Sequence, residues 1–165
     1  MPFKLRIATA DDVPDLVVLR AAVSQDMTSK FGKGPWSTRV TDKGLFFAMK
    51  RSTVYIARRR GEIVATLSLS TRKPWAIDTS YFSSCSQPLY LTGMEVAPAR
   101  QRQGIGRMCI DEARRLAIEW PGGAIRLDAF DSSAGAGEFY RKCGFQEVGR
   151  TTYRTAPLIY FEMLL

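Results

Sequence analysis

An apolar run, Leu89 to Val96, passes through Ala97-Pro98-Ala99-Arg100-Gln101-Arg102-Gln103-Gly104 into an amphipathic run, Ile105 to Trp120. No other stretch restricts the fold of this chain as strongly. The first run has the length and composition of a buried strand. The second repeats Ile105, Cys109, Ala113, Leu116 and Trp120 at helical spacing, which predicts a buried stripe. Pro121-Gly122-Gly123 stops that helix, and Ala124 to Phe130 reads as the next strand. A strand, a helix and a second strand in succession form a crossover, which calls for a sheet with helices packed on it.

The flanking sequence supplies the other elements. A strand is predicted near Phe3 to Ala8. Thr9, Asp11 and Asp12 then open a helix to about Ser24. Its apolar positions are Val13, Leu16, Val17, Leu19 and Val23, with Arg20 an exception among them. Phe31 to Trp36 reads as a loop and Thr38 to Lys50 as a second helix. Thr53 to Arg58 and Ile63 to Ser70 read as a hairpin about Arg59-Arg60-Gly61. The basic run Arg58-Arg59-Arg60 fits a solvated hairpin tip better than a phosphate contact. Lys73 to Pro88 is irregular and aromatic. Ala134 to Cys143 predicts a short helix ended by Gly144, and Val148 to Arg154 and Leu158 to Leu164 are closing strands. The order β-α-α-β-β-β-α-β-α-β-β predicts an α/β (α+β) chain with a central mixed, mostly antiparallel sheet and helices on both faces. At 165 residues, 45% of them hydrophobic, a single domain spanning 1–165 is expected.

The composition removes several chemistries. There is no histidine, so Ser-His-Asp and Cys-His catalysis and histidine-ligated zinc are excluded. The three cysteines, Cys85, Cys109 and Cys143, lack metal-ligand spacing, and no metal is expected. Cys109 and Cys143 fall in apolar-periodic helices and read as buried and inert. Cys85 has no histidine to activate it as an acyl carrier. The net charge of +8 favours anionic ligands. It leaves nucleic acid as a rival, but the basic–aromatic pattern of RNA modules is missing. No apolar run is long enough to span a membrane, and the first residues do not read as a secretory signal, so a cytoplasmic location is expected.

Between the apolar run and the amphipathic one, Arg100, Arg102 and Arg107 surround Gly104 and Gly106. A strand turning sharply into a helix leaves backbone N–H groups unpaired at the helix start, which suits a phosphate or pyrophosphate. Glycine lets the backbone approach such an anion closely. The turn is neither the dinucleotide fingerprint, which needs a third glycine, nor a P-loop, which needs Gly-Lys-Ser/Thr. A plain tight turn remains an equal reading of this motif alone. Downstream, Tyr140 lies on the amphipathic boundary of the short helix, and its hydroxyl can protonate a leaving thiolate if aligned.

Leu91-x-x-x-x-Val96-x-Pro98, Gln101-Arg102-Gln103-Gly104-Ile105-Gly106 and Phe139-Tyr140-x-x-x-Gly144-Phe145 occur in register. In these blocks and in its element order the chain resembles the GCN5-related N-acetyltransferase (GNAT) superfamily. The resemblance implies an acyl-CoA acyltransferase fold and acetyl transfer from acetyl-CoA to a primary amine. It assigns Met94, Glu95 and Val96 to the pantetheine arm through their backbone. It assigns Gln101, Arg102, Gln103, Gly104, Ile105 and Gly106 to the pyrophosphate, with Arg107 and Met108 continuing the cradle. Tyr140 is implied as the acid for the CoA thiolate. Ser133 stands where the family often has an asparagine that contacts CoA.

The general base is the open position. The best-known family glutamate aligns with Tyr90, so Glu95, the carboxylate on that strand, is the candidate, against the alternative of an unpaired edge carboxylate; Asp128 and Asp131 compete. The acceptor is expected to be a small-molecule or peptide amine, met by the loops Gln25 to Arg39 and Lys73 to Pro88. Phe31, Trp36, Trp75, Tyr81 and Phe82 there imply a partly apolar pocket, and only Asp26 and Asp78 as acids disfavour a polycation. An acetyl-CoA sensor without turnover is the alternative function, and a homodimer is compatible with the resemblance.

Overall fold

The computed structural model describes residues 2–165. The elements are β1 (Arg6–Ile7), α1 (Val13–Phe31), α2 (Asp42–Arg51), β2 (Thr53–Arg59), β3 (Glu62–Ser70), β4 (Pro88–Val96), α3 (Ile105–Glu119), β5 (Ala124–Phe130), α4 (Gly137–Lys142), β6 (Gln146–Tyr153) and β7 (Ala156–Leu164). Among the described residues, seven strands form one sheet in the order β1-β2-β3-β4-β5-β7-β6. The pairs β1–β2, β2–β3, β5–β7 and β6–β7 are antiparallel, and β4–β5 is parallel. The expected element order and mixed, mostly antiparallel sheet are therefore present. The chain divides into two compact units, one of residues 1–69 and 92–113, the other of residues 70–91 and 114–165.

In the first unit, the Thr9 N–H donates to Asp12 Oδ2 at 2.8 Å, and Pro14 follows in the first turn of α1. The helix runs seven residues past Ser24, because nothing in Gln25 to Lys30 breaks it before Gly32, at φ +78°. The segment Gln25 to Phe31, expected as a loop, is therefore helical. On α2, Thr41 caps by accepting from the Gly44 N–H at 3.1 Å. Val13, Leu16 and Leu19 of α1, Leu45 of α2, and Val54, Ile56 and Ile63 of the β2–β3 hairpin form the core. Arg60 (φ 52°) and Gly61 (φ 81°) make its two-residue turn, the left-handed pair that matches strand twist. Arg58 does not stand free at this tip. It binds Asp12 and Asp15, both at 2.9 Å, and the Gly61 carbonyl at 2.6 Å.

In the second unit, β7 lies between β5 and β6 and is buried from Leu158 to Met163. Consecutive buried residues mean that both of its faces are covered. Tyr160 meets Tyr81 and Phe82 of the 70–87 segment, at ring distances of 5.2 and 5.3 Å. Phe161 meets Tyr140 of α4 at 6.0 Å, and Tyr140 in turn packs on Phe145 at 5.6 Å. The short helix begins at Gly137 rather than Ala134: a Cβ on Gly135 would lie 1.8 Å from the Phe130 carbonyl, so the chain folds back on itself there. Trp120 follows the last residue of α3 and is exposed, whereas Ile110 and Ala117 are buried in its place.

Candidate functional site

In the first unit, β4 carries Gly93 within the strand at a left-handed φ of +58°. Thr92 and Gly93 are exposed, and Met94, Glu95 and Val96 are half-buried. The Ala97 N–H is held by the Val64 carbonyl at 2.8 Å, which anchors the strand end. Pro98–Arg100 then form one tight turn closed by Arg100 N–H to Ala97 C=O at 2.8 Å.

Arg102 (φ 61°) and Gly104 (φ 81°) follow, both left-handed. Left-handed residues in alternation with other conformations turn successive N–H groups inward, which is how backbone nests hold anions. Gln101 and Gln103 buttress this loop from behind, donating from Nε2 to the Val96 carbonyl at 3.1 Å and the Ala99 carbonyl at 3.3 Å. Helical bonding begins with Met108 N–H to Gly104 C=O at 3.1 Å, so the N–H groups of Ile105 and Gly106 have no acceptor within α3. Gln101, Arg102, Gln103 and Gly104 are all exposed, and no other atom of the chain lies within 4 Å of a Cβ built on Gly104. Ile105 is different: its side chain is core, so only its backbone faces this cradle. Such donors suit an anion, and arginine side chains lie on the same loop.

Glu95 is not an unpaired edge carboxylate. Its Oε1 lies 2.6 Å from Arg20 Nη1, and both side chains are more than four-fifths buried. Burial pushes its carboxyl above the ordinary range, and the Arg20 charge and hydrogen bond only partly offset this. Sequence reasoning missed Arg20. The available signal was a charged residue interrupting the apolar stripe of α1.

In the second unit, Tyr140 is buried on α4 and ringed by Phe139, Phe145 and Phe161. Desolvation pushes its hydroxyl pKa well above the ordinary value, and the negative charges of Asp128 and Cys143 add to this. The phenol therefore keeps its proton at neutral pH. Asp128 is half-buried, and burial raises its carboxyl too. Of the two rival aspartates, it is the one whose charge reaches Tyr140. Asp131 is instead bridged by Arg150 Nη1 at 3.3 and 3.4 Å. Ser133 is exposed on the turn after β5 and lines a cavity of about 400 Å³ with Asp131, Arg141 and Arg150. The hydroxyl that braces this turn belongs to Ser132, which accepts from the Ala134 N–H at 3.2 Å.

The aromatic loops are less open than expected. Phe82 is core, and Trp36 packs edge-on to Phe31 while donating to the Gly32 carbonyl at 2.9 Å. Trp75, 76% exposed, is the aromatic of these loops that faces solvent most fully. It lines a cavity of about 410 Å³ with Lys73, Asp78, Tyr153 and Tyr160. Cys109 is buried, and burial with the Glu112 charge pushes its thiol up to about 12.

A family model described as "Acetyltransferase (GNAT) family" matches residues 20–145. The chain belongs to the GNAT acetyltransferase family. The acyl donor of this family is acetyl-CoA, which carries a diphosphate. No curated protein sequence matches the chain. Three solved structures show how widely this fold is shared. A ribosomal-protein-alanine N-acetyltransferase from Brucella melitensis is 20% identical with a TM-score of 0.73, the alignment covering 98% of this chain and 99% of that one. The PaiA N-acetyltransferase from Thermoplasma acidophilum, solved with coenzyme A, is 13% identical with a TM-score of 0.73 over 97% and 98%. An aminoglycoside acetyltransferase, also with coenzyme A, is 18% identical with a TM-score of 0.74 over 98% and 94%. At such identities the likeness is one of fold. Among the described residues no helix is long and apolar enough to cross a membrane.

Proposed function

We propose that this protein is a single-domain N-acetyltransferase that moves the acetyl group of acetyl-CoA onto a primary amine by direct attack. The observation that carries the reading is the cradle at Gln101 to Met108: left-handed backbone at Arg102 and Gly104, and helix-start N–H groups without helical acceptors, in a chain of the GNAT family. Acetyl-CoA supplies an activated thioester, so no acyl-enzyme is needed. The N–H groups of the cradle and Arg102 and Arg107 bind the diphosphate. The backbone of Met94, Glu95 and Val96 carries the pantetheine arm, and Ser133 donates a side-chain hydrogen bond. Glu95 takes a proton from the amine nitrogen. As the N–C bond forms and the C–S bond breaks, the Tyr140 hydroxyl gives a proton to the departing sulfur. What supports that role is its place in the Phe139-Tyr140-x-x-x-Gly144-Phe145 block; burial keeps the phenol protonated but weakens it as an acid.

The acceptor is a small-molecule or peptide amine. Calorimetry with acetyl-CoA, followed by thiol-release assays with an amino acid, a polyamine, an aminoglycoside and an alanine-ended peptide, tests the reading. Binding with thiol release from at least one amine is the expected result. Binding without release from any amine identifies an acetyl-CoA sensor, and no binding overturns both.

A further inference from the structure

The Arg20 guanidinium is seated in a space that the sequence keeps open for it. A Cβ on Gly93 would come within 2.8 Å of Arg20 Nη2, so a side chain at residue 93 would push the guanidinium from this position. Nη1 grips Glu95 Oε1 at 2.6 Å from this seat. Nε is buried and has no hydrogen-bond partner. Leaving a buried charged donor unsatisfied is costly, and an arginine present only for stability gains nothing from it. The seat sets the direction of approach to Glu95 at the expense of its own hydrogen bonding.

We infer that Arg20 is a positioning residue for Glu95: braced against Gly93, it fixes the orientation of the carboxylate that receives the acceptor's proton. The inference rests on Glu95 being the base. Arg20 on α1 is the charged group that acts on Glu95, and neither β3 nor β4 itself adds a second. Its charge and hydrogen bond both hold the titration of Glu95 down, against the opposing effect of burial. Removing the guanidinium must therefore move that titration to higher pH.

The test is a ¹³C NMR titration of the side-chain carboxyls in the full-length protein without donor, the Glu95 signal being assigned by its loss in Glu95→Gln. In Arg20→Met the Glu95 midpoint should rise by about one unit or more. In Arg20→Lys, which keeps the charge and loses the planar fork, it should rise by less. Kinetics on the best amine of the panel supply the second readout. Arg20→Met should lower kcat about tenfold or more and shift the acidic limb upward, with the acetyl-CoA KM within about twofold of wild type. If Arg20→Met lowers the melting temperature but leaves the Glu95 midpoint and the acidic limb in place, Arg20 is merely structural and the inference fails. If Glu95→Gln keeps both the rate and the acidic limb, it is the assignment of Glu95 as base that fails.

Discussion

Among the described residues, two buried arginine–glutamate pairs, Arg20–Glu95 and Arg126–Glu162, one in each unit, are built to opposite specifications. Arg126 and Glu162, on β5 and β7, are saturated. Arg126 Nε meets Glu162 Oε2 at 2.9 Å, Nη2 meets the Ser83 carbonyl at 2.6 Å and Nη1 meets Tyr90 Oη at 3.3 Å. Glu162 Oε1 accepts from Ser83 Oγ at 2.7 Å and from the Ser83 N–H at 3.3 Å. The Phe82 ring lies 5.0 Å from the guanidinium. Arg20–Glu95 has one contact at 2.6 Å and an unsatisfied Nε. The saturated pair fastens the segment around Ser83 to the strands. The unsaturated pair leaves a carboxylate whose pKa is still raised by burial. On the proposed mechanism, satisfaction of hydrogen bonds, rather than burial alone, is what would separate the structural pair from the functional one.

The largest effect should come from breaking the saturated pair. Glu162→Ala leaves the Arg126 charge buried without its counterion and should cost about 3–5 kcal/mol in urea denaturation. The double variant Arg126→Met/Glu162→Leu should recover most of that loss, since apolar residues of similar size replace both charges. Glu95→Gln also removes the counterion of a buried guanidinium but keeps an acceptor oxygen, and should cost less, about 1–3 kcal/mol. A Glu95→Gln loss as large as that of Glu162→Ala would erase the distinction between the two pairs.

Tyr140→Phe should show the converse pattern: a kcat about a hundredfold lower, equivalent to about 2.7 kcal/mol in the barrier, with little change in stability. Because burial and the Asp128 charge both hold the phenol protonated, the wild-type rate should show no alkaline limb from Tyr140 below about pH 10. Asp128→Asn should leave the acidic limb in place if Glu95 is the base.

Asp12 offers a third arrangement, a buried and saturated carboxylate with an exposed partner, Arg6. It accepts from Arg6 Nη1 and Nη2 at 2.9 and 2.8 Å, from Arg58 Nη2 at 2.9 Å and from the Thr9 N–H at 2.8 Å. These donors, the Arg6 hydrogen bond foremost, hold its carboxyl far below the usual aspartate range. A carboxyl whose pKa is lower when folded than unfolded stabilises above its unfolded pKa and loses that contribution as the pH falls toward the folded one. Asp12→Asn should therefore cost about 2 kcal/mol at pH 7. The gap between variant and wild type should narrow below about pH 4. A constant gap from pH 7 to pH 3 would show that geometry and not charge holds this corner.

How much of this was legible in the sequence follows from the range of the interactions involved. The strand Ala124–Phe130 and the turn Arg60-Gly61 depend on local chemistry and stand where periodicity and turn residues place them. The cradle was legible for the same reason: proline, arginines and glycines sit at fixed offsets within one segment. The carboxylate partners were not. Arg20 and Glu95 are 75 positions apart, and Arg126 and Glu162 are 36 apart. In sequence each reads only as a polar interruption of an apolar pattern. The aromatics misled for a related reason. Phe82 and Trp75 look alike as loop residues, and only the Arg126 and Tyr160 beside Phe82 make it core.

The smallest effect on stability should separate what Gly104 does for the fold from what it does for the ligand. A Cβ there meets no other atom within 4 Å, so alanine creates no clash and its cost is confined to the φ of +81°. That strain amounts to about 1 kcal/mol in the left-handed region, and relief would come from rotating the peptide and turning the N–H groups of the cradle outward. Gly104→Ala should therefore weaken acetyl-CoA binding about tenfold by calorimetry, while thermal unfolding moves by only a few degrees. The pair Arg20–Glu95 and the kcat on a saturated enzyme should be untouched, because the damage is to binding before the chemical step. A Gly104→Ala variant that binds acetyl-CoA as tightly as wild type would show that this turn is only a close-packed corner of the chain.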